Sequence, residues 1–270
     1  FLDHHKSHVW GAFATSPYKD AYIFTFDGRG DFKSSTVNFY DKKKGMQEIN
    51  YQLTVDSIGY LYSQITNYLG FTPFRHEGKV TGLAAYGNSE NTIKIFENLI
   101  SFEKGNFVSN LGYFNPFTTP SSRLVKHLKK YKKEDIAAGL QKHCEKIISL
   151  YVKYWINKTG NMSKNLCLAG GVTANVRINQ VISEIKNVDN VFVFPHMGDG
   201  GIPLGAAAFL NNQLCGRDKL KFSSAQLGNE YNDNDIMEDI KKYKKDLLIE
   251  TPVKYVNAVV EDLINLKVVG

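Results

Sequence analysis

The sequence predicts a mixed α/β fold in which two related half-domains face each other across a cleft. Three observations predict it. Short apolar runs at Ala21–Phe26, Asn165–Ala169 and Val191–Pro195 alternate with longer segments of helical apolar spacing, the pattern of a sheet with crossover helices. Two of these runs lead into Asp-Gly, at Asp27-Gly28 and Asp199-Gly200, and the third into Gly170-Gly171. The two Asp-Gly turns lie far apart in the chain, as in a pair of related halves, and α/β sheets bind ligands at the carboxyl ends of their strands.

In chain order, His4, His5 and His8 open a predicted helix. Ala21 to Phe26 is a strand that stops at the glycine turn Asp27-Gly28-Arg29-Gly30-Asp31. Ser34 to Tyr40 alternates as the strand on the far side of that turn, so 27–31 is a hairpin connection. Asp56 is placed to cap a helix from Ser57 to about Leu69, and Gly70 ends it. A charged loop, Phe71 to Lys79, leads into a short helix of small residues, Val80 to Gly87. Asn91 to Phe102 reads as a helix, Phe107 to Phe117 as an aromatic hairpin and Pro120 to Lys130 as another helix, together an insertion on the main domain. Glu134 to Trp155 is the longest helix, with one apolar face. Asn165–Ala169 runs through Gly170-Gly171 into a helix reaching about Ile185, and Val191–Pro195 runs through 196–201 into a helix from Ile202 to Leu210. From Gln226 the character changes to a charged helix at Ile236–Tyr243, a short strand at Thr251–Tyr255 and a helix at Val256–Leu266. Residues 1–225 are therefore expected to form one domain, and 226–270 a linker and the start of another.

With 43% hydrophobic and 22% charged residues the composition is that of an ordinary globular chain. The net charge is +6, but lysine pairs such as Lys129-Lys130, Lys132-Lys133 and Lys241-Lys242 lie in helix-like segments without interleaved arginines and aromatics. That pattern favours a solvated helix face over a nucleic-acid partner. Cys144, Cys167 and Cys215 are widely spaced and fit reduced side chains of a cytoplasmic protein better than a disulfide framework. No apolar run approaches the roughly 20 residues that span a bilayer. The chain opens without methionine and closes on the apolar run Leu266-Lys267-Val268-Val269-Gly270, so it reads as a fragment of a longer protein. Its oligomeric state is not legible.

The chemistry concentrates at the start. Residues i and i+4 of a helix share a face, so His4 and His8 can hold one metal ion, with the Asp27 carboxylate completing the site from the next strand. Imidazole and carboxylate donors with open positions suit Fe(II), Mn or Zn. Strand, double glycine, helix is a layout in which backbone amides meet a phosphate. Arg29 reads equally as a phosphate ligand and as an exposed turn residue. Glu77 and Lys79 read as a surface ion pair or as a ligand clamp.

The motifs D-H-H-x-x-H, F-D-G-R-G-D, S-x-G-x-L-Y-x-x-x-T-x-x-L-G-F, E-G-K-V-T-G-L-A-A-Y-G, L-A-G-G-V-x-x-N and P-x-M-G-D-G-G-x-x-L-G-A-A occur in this order. Together they resemble the O-carbamoyltransferases of the NodU/CmcH type, over about residues 1–225. The resemblance implies a Kae1-like catalytic domain of the actin and sugar-kinase ATPase fold, two ribonuclease-H-like halves around a cleft, followed by the start of a YrdC-like α/β domain. It implies transfer of a carbamoyl group from carbamoyl adenylate, made from carbamoyl phosphate and ATP, to a hydroxyl of a small-molecule or sugar acceptor. It implies Fe(II) or another divalent metal on His4, His8, Asp27 and Asp199. It implies nucleotide contacts from Gly170, Gly171, Val172 and Asn175 and from Glu77 and Lys79, with Gly28, Arg29 and Gly198 at the two Asp-Gly turns. Thr81 and Ala174 stand where the family usually has methionine and leucine. His5, turned off the His4/His8 face, is the candidate general base, with packing as its competing role. The competing readings are a tRNA threonylcarbamoyl-transfer protein of the Kae1 type and a metal- and nucleotide-binding module without turnover.

Overall fold

A computed structural model describes the chain except for residues 112, 113, 115, 116, 222, 223, 244, 247 and 270. The chain divides into two compact units, Phe1–Ser223 and Ser224–Gly270.

The first unit begins with helix α1 (His4–Thr15), capped by the Asp3 carboxylate, which accepts from the Lys6 amide. Three antiparallel strands follow, β1 (Ala21–Gly30), β2 (Lys33–Asp41) and β3 (Gly45–Leu53). Next come α2 (Ile58–Tyr68), α3 (Glu77–Ala84), the short α4 (Ile93–Glu97), the hairpin β4 (Ile100–Glu103) and β5 (Asn106–Ser109), and α5 (Ser122–Leu128). The long α6 (Lys133–Lys158) leads to β6 (Asn165–Ala169), then α7 (Val176–Ser183), β7 (Asn190–Val193) and α8 (Ile202–Cys215). The central sheet has the order β3-β2-β1-β6-β7, with β6 parallel to β1 and β7 parallel to β6.

Strand periodicity builds a layer on each face of this sheet. Tyr22, Phe24 and Phe26 of β1, with Leu166 and Leu168 of β6, point into a large core shared with α2 and α6. The alternate residues, Ala21, Ile23, Cys167 and Ala169, point into a second core against α1 and α8. The fold is therefore mixed α/β around a central sheet, as expected.

Asp27-Gly28 lies inside β1, where the pairing with β2 is irregular after Phe26, so the hairpin connection is shorter than the expected 27–31; Asp199-Gly200 follows β7. The two Asp-Gly pairs meet on the edge where the parallel strands β1, β6 and β7 end.

Other local expectations are corrected. Ser57, not Asp56, caps α2, its hydroxyl accepting from the Tyr60 amide, while Asp56 accepts from the Ser109 amide. The helix expected over 91–102 stops at Glu97, and Ile100–Ser109 forms the hairpin. Four residues of the aromatic segment 107–117 fall outside the described residues. The helix expected after Gly171 starts at Val176, because Asn175 interrupts it as the cap of α7.

In the second unit α9 (Asp233–Tyr243) and α10 (Tyr255–Ile264) are the regular elements among the described residues. The strand expected at 251–255 is absent: Tyr255 already begins α10. No helix among the described residues is long and apolar enough to cross a membrane.

Candidate metal and nucleotide site

The edge of the sheet at the ends of β1, β6 and β7 brings four predicted ligands together. His4 Nε2 lies 2.9 Å from Asp27 Oδ2, 3.2 Å from His8 Nε2 and 3.5 Å from Asp199 Oδ1. His8 Nε2 lies 3.7 Å from Asp27 Oδ2 and 3.6 Å from Asp199 Oδ1. One donor atom from each of the four residues lies within 4.8 Å of all the others. Ligands about 2.1 Å from one cation stand roughly 3–4 Å apart, so the donor set and its spacing fit a divalent metal.

Each side chain is aimed by a different part of the fold. The two imidazoles are one helical turn apart on α1, and Asp31 Oδ2 accepts from the His4 amide at 2.7 Å. Asp27 is held from the other side by the Gly171 amide, which donates to its Oδ1 at 3.1 Å. Asp199 is set by the packing of α8 on α1, where Gly205 is pressed so closely that an added Cβ would sit 1.8 Å from the Ser7 carbonyl oxygen. Burial is the largest influence on Asp27 and favours its neutral form, yet the hydrogen bonds from His4 and His8 outweigh it and hold the carboxyl far below the usual carboxylate range. Burial likewise opposes the charged form of His8, but Asp199 and Asp27 together raise it above the ordinary imidazole value.

His5 does not share this site. It is fully buried, its Nδ1 pairs with Thr25 Oγ1 at 2.7 Å, and burial lowers it to about 4. Its ring lies 5.4 Å from that of His4 but does not line the cleft, and its burial favours packing over the base role.

A cleft of about 550 Å³ opens beside the four donors. Gly28, Glu77, Gly171, Val172, Asn175 and Gly198 line it together with Asp27 and Asp199. Gly170 lies beneath as the turn residue. Its φ of +92° belongs to glycine, and an added Cβ would stand 2.3 Å from the Phe26 carbonyl oxygen. Arg29 and Lys79 are exposed and are not among the lining residues. Glu77 is in no ion pair with Lys79: its Oε1 accepts from Ser63 Oγ and the Phe74 amide, while Lys79 Nζ sits 5.8 Å from the centre of the Phe71 ring.

Asn175 was expected here, but Gln141 and Tyr62 beside it were not. Asn175 caps α7 through Oδ1, and its Nδ2 donates to Gln141 Oε1 at 2.8 Å and to Thr81 Oγ1 at 3.2 Å. Tyr62 Oη donates to the same Gln141 oxygen at 2.8 Å. The signal was a glutamine beside the apolar stripe of α6. Phe74 and Val176, exposed apolar side chains at the cleft, carried no motif.

Residues 1–208 match the family described as Carbamoyltransferase N-terminus. The nodulation protein NolNO of Sinorhizobium fredii is 31% identical over 217 residues, covering 79% of this chain and 31% of NolNO. An uncharacterised protein of Methanocaldococcus jannaschii, MJ1058, is 31% identical over 264 residues, covering 90% of this chain and 42% of that protein. Among solved structures, HypF of T. kodakarensis is similar with a TM-score of 0.47 and 13% identity, over 80% of this chain and 37% of HypF. The chain thus spans 31% and 42% of the length of these two curated relatives. By the family match over residues 1–208, set on the strands and turns described above, this chain belongs to the carbamoyltransferase family.

Proposed function

We propose that the chain carries the carbamoyl-transfer site of an O-carbamoyltransferase whose donor is carbamoyl adenylate. The observation that carries this reading is the quartet His4, His8, Asp27 and Asp199 at the mouth of a cleft floored by glycine turns. These four residues would hold Fe(II) or another divalent cation, and a cation so held polarises a phosphate or carbonyl oxygen as a Lewis acid. Backbone at Gly28, Gly171 and Gly198 lines the cleft, so the phosphate of the mixed anhydride can approach the main chain closely. The acceptor hydroxyl oxygen attacks the carbamoyl carbon, the bond from that carbon to the phosphate oxygen breaks, AMP leaves with the electron pair, and the hydroxyl proton passes to water at the open side of the cleft. Enclosure by the two turns, α2, α3 and the start of α7 orients the reactants, which is the chain's own contribution to the rate.

The adenylate is made from carbamoyl phosphate and ATP by the YrdC-like domain that we read as beginning at about residue 226. The separation of Ser224–Gly270 as its own unit supports that division. The acceptor is a small molecule or sugar hydroxyl. Metal-loaded protein given synthetic carbamoyl adenylate and hydroxyl acceptors is expected to release AMP and carbamate ester in equal amounts. Binding of metal and AMP without any ester would leave a binding module in place of an enzyme. AMP release that depends on tRNA would favour the threonylcarbamoyl-transfer reading.

A further inference from the structure

We propose that the flat base of a nucleotide packs on the ring of Phe74, with Val176 as its second apolar contact; this rests on the nucleotide reading of the cleft above. Phe74 lies in the loop between α2 and α3 with φ +63°, a left-handed conformation that a bulky side chain keeps only where its surroundings impose it. The surroundings do impose it. Its amide donates to Glu77 Oε1 at 2.6 Å, and that oxygen also accepts from Ser63 Oγ of α2 at 2.9 Å. The ring meets Tyr60 edge-on at 6.0 Å, and the residue is otherwise open, 62% exposed. Its edge passes over Gly28, the residue after Asp27: a Cβ there would stand 3.7 Å from Phe74 Cε1.

Val176, the first residue of α7, is 71% exposed and lines the same cleft. These two are the large apolar side chains that the cleft leaves to solvent. An aromatic ring held rigidly in water beside a set of metal donors offers a ligand two kinds of contact. Charge is received at the donors, and a flat π-face is received at the ring. A nucleotide has this division, with its phosphate at one end and its base at the other. Stacking on an aromatic side chain tolerates any base, because each has a π-face.

The test uses the metal-loaded full chain and two probes, AMP and ribose 5-phosphate, which shares the sugar and phosphate but has no base. Phe74→Gly removes the ring, while glycine accepts the left-handed backbone and keeps the amide bond to Glu77. The variant is expected to weaken AMP about 10-fold. Val176→Ser should weaken it about 3-fold. Ribose 5-phosphate should bind all three proteins equally. Phe74→Trp should gain an AMP-dependent change in tryptophan fluorescence beyond that of the parent protein. Parent protein that binds AMP no better than ribose 5-phosphate, or Phe74→Gly that retains full AMP affinity, overturns the base contact while leaving the nucleotide site. A parent protein that binds neither probe overturns the nucleotide reading itself.

Discussion

Gln141 is buried in α6 with every polar atom of its amide engaged. Its oxygen accepts from Tyr62 Oη and Asn175 Nδ2, and its nitrogen donates to Glu145 Oε1 at 2.9 Å. Gln141→Leu keeps most of the volume but leaves the Asn175 amide and Glu145 short of partners, and an unsatisfied buried polar group costs about 1–3 kcal/mol. Urea unfolding is expected to show a loss in that range, and an unchanged midpoint would contradict the network. The residue scale also shows how far spacing carries. His4, His8 and Asp27 were legible as one site because a helix repeats every turn and the next strand ends on a carboxylate. Arg29 and Lys79 satisfied the same kind of motif, yet their side chains point to solvent. Gln141 was hidden because a polar residue next to an apolar stripe reads as exposed until its partners from α2 and α7 are known.

Helices α1 and α8 meet through glycine, and this contact decides where Asp199 sits relative to the two imidazoles. Gly205→Ala puts a methyl group within 1.8 Å of the Ser7 carbonyl oxygen, backbone that cannot step aside without moving a helix. Overpacking of this kind costs about 1–3 kcal/mol. The variant should melt lower and hold metal more weakly, and calorimetry with metal titration checks both; a normal metal affinity would show that α8 does not position the ligand. At this scale the strands with continuous apolar runs, β1 and β6, were legible because both faces are covered. The edge strand β3 was not, since it is largely polar and leaves residues such as Glu48 and Tyr51 exposed. The hairpin β4–β5 was taken for a helix and a later hairpin, because its apolar residues Ile100, Phe102 and Phe107 fit either period.

The first unit is closed behind α8 by Lys219, whose Nζ donates to the Phe13 carbonyl and to Ser16 Oγ, and by the Leu220 amide, which donates to the Ala14 carbonyl. Burial lowers Lys219 from 10.5 to about 8. Its folded value lies below its unfolded one, so between about pH 8 and 10.5 the unfolded chain binds more protons and this group's contribution to stability rises with pH. Lys219→Met should flatten that rise, and urea midpoints across the window for both proteins measure it; parallel profiles would contradict the burial. The mixed α/β fold was legible in the sequence as strands alternating with helices. The strand order that brings the two distant Asp-Gly turns to one edge was not, because sequence separation does not give strand order. Four side chains, two from α1, one from β1 and one from the turn before α8, are proposed to share one cation. X-ray absorption at the metal edge, with elemental analysis of the parent, His8→Ala and Asp199→Ala proteins, tests it directly. The parent chain should hold one divalent ion with nitrogen and oxygen ligands at about 2.0–2.2 Å, lost in both variants while the folded spectrum remains. Equal metal content in all three proteins would contradict it.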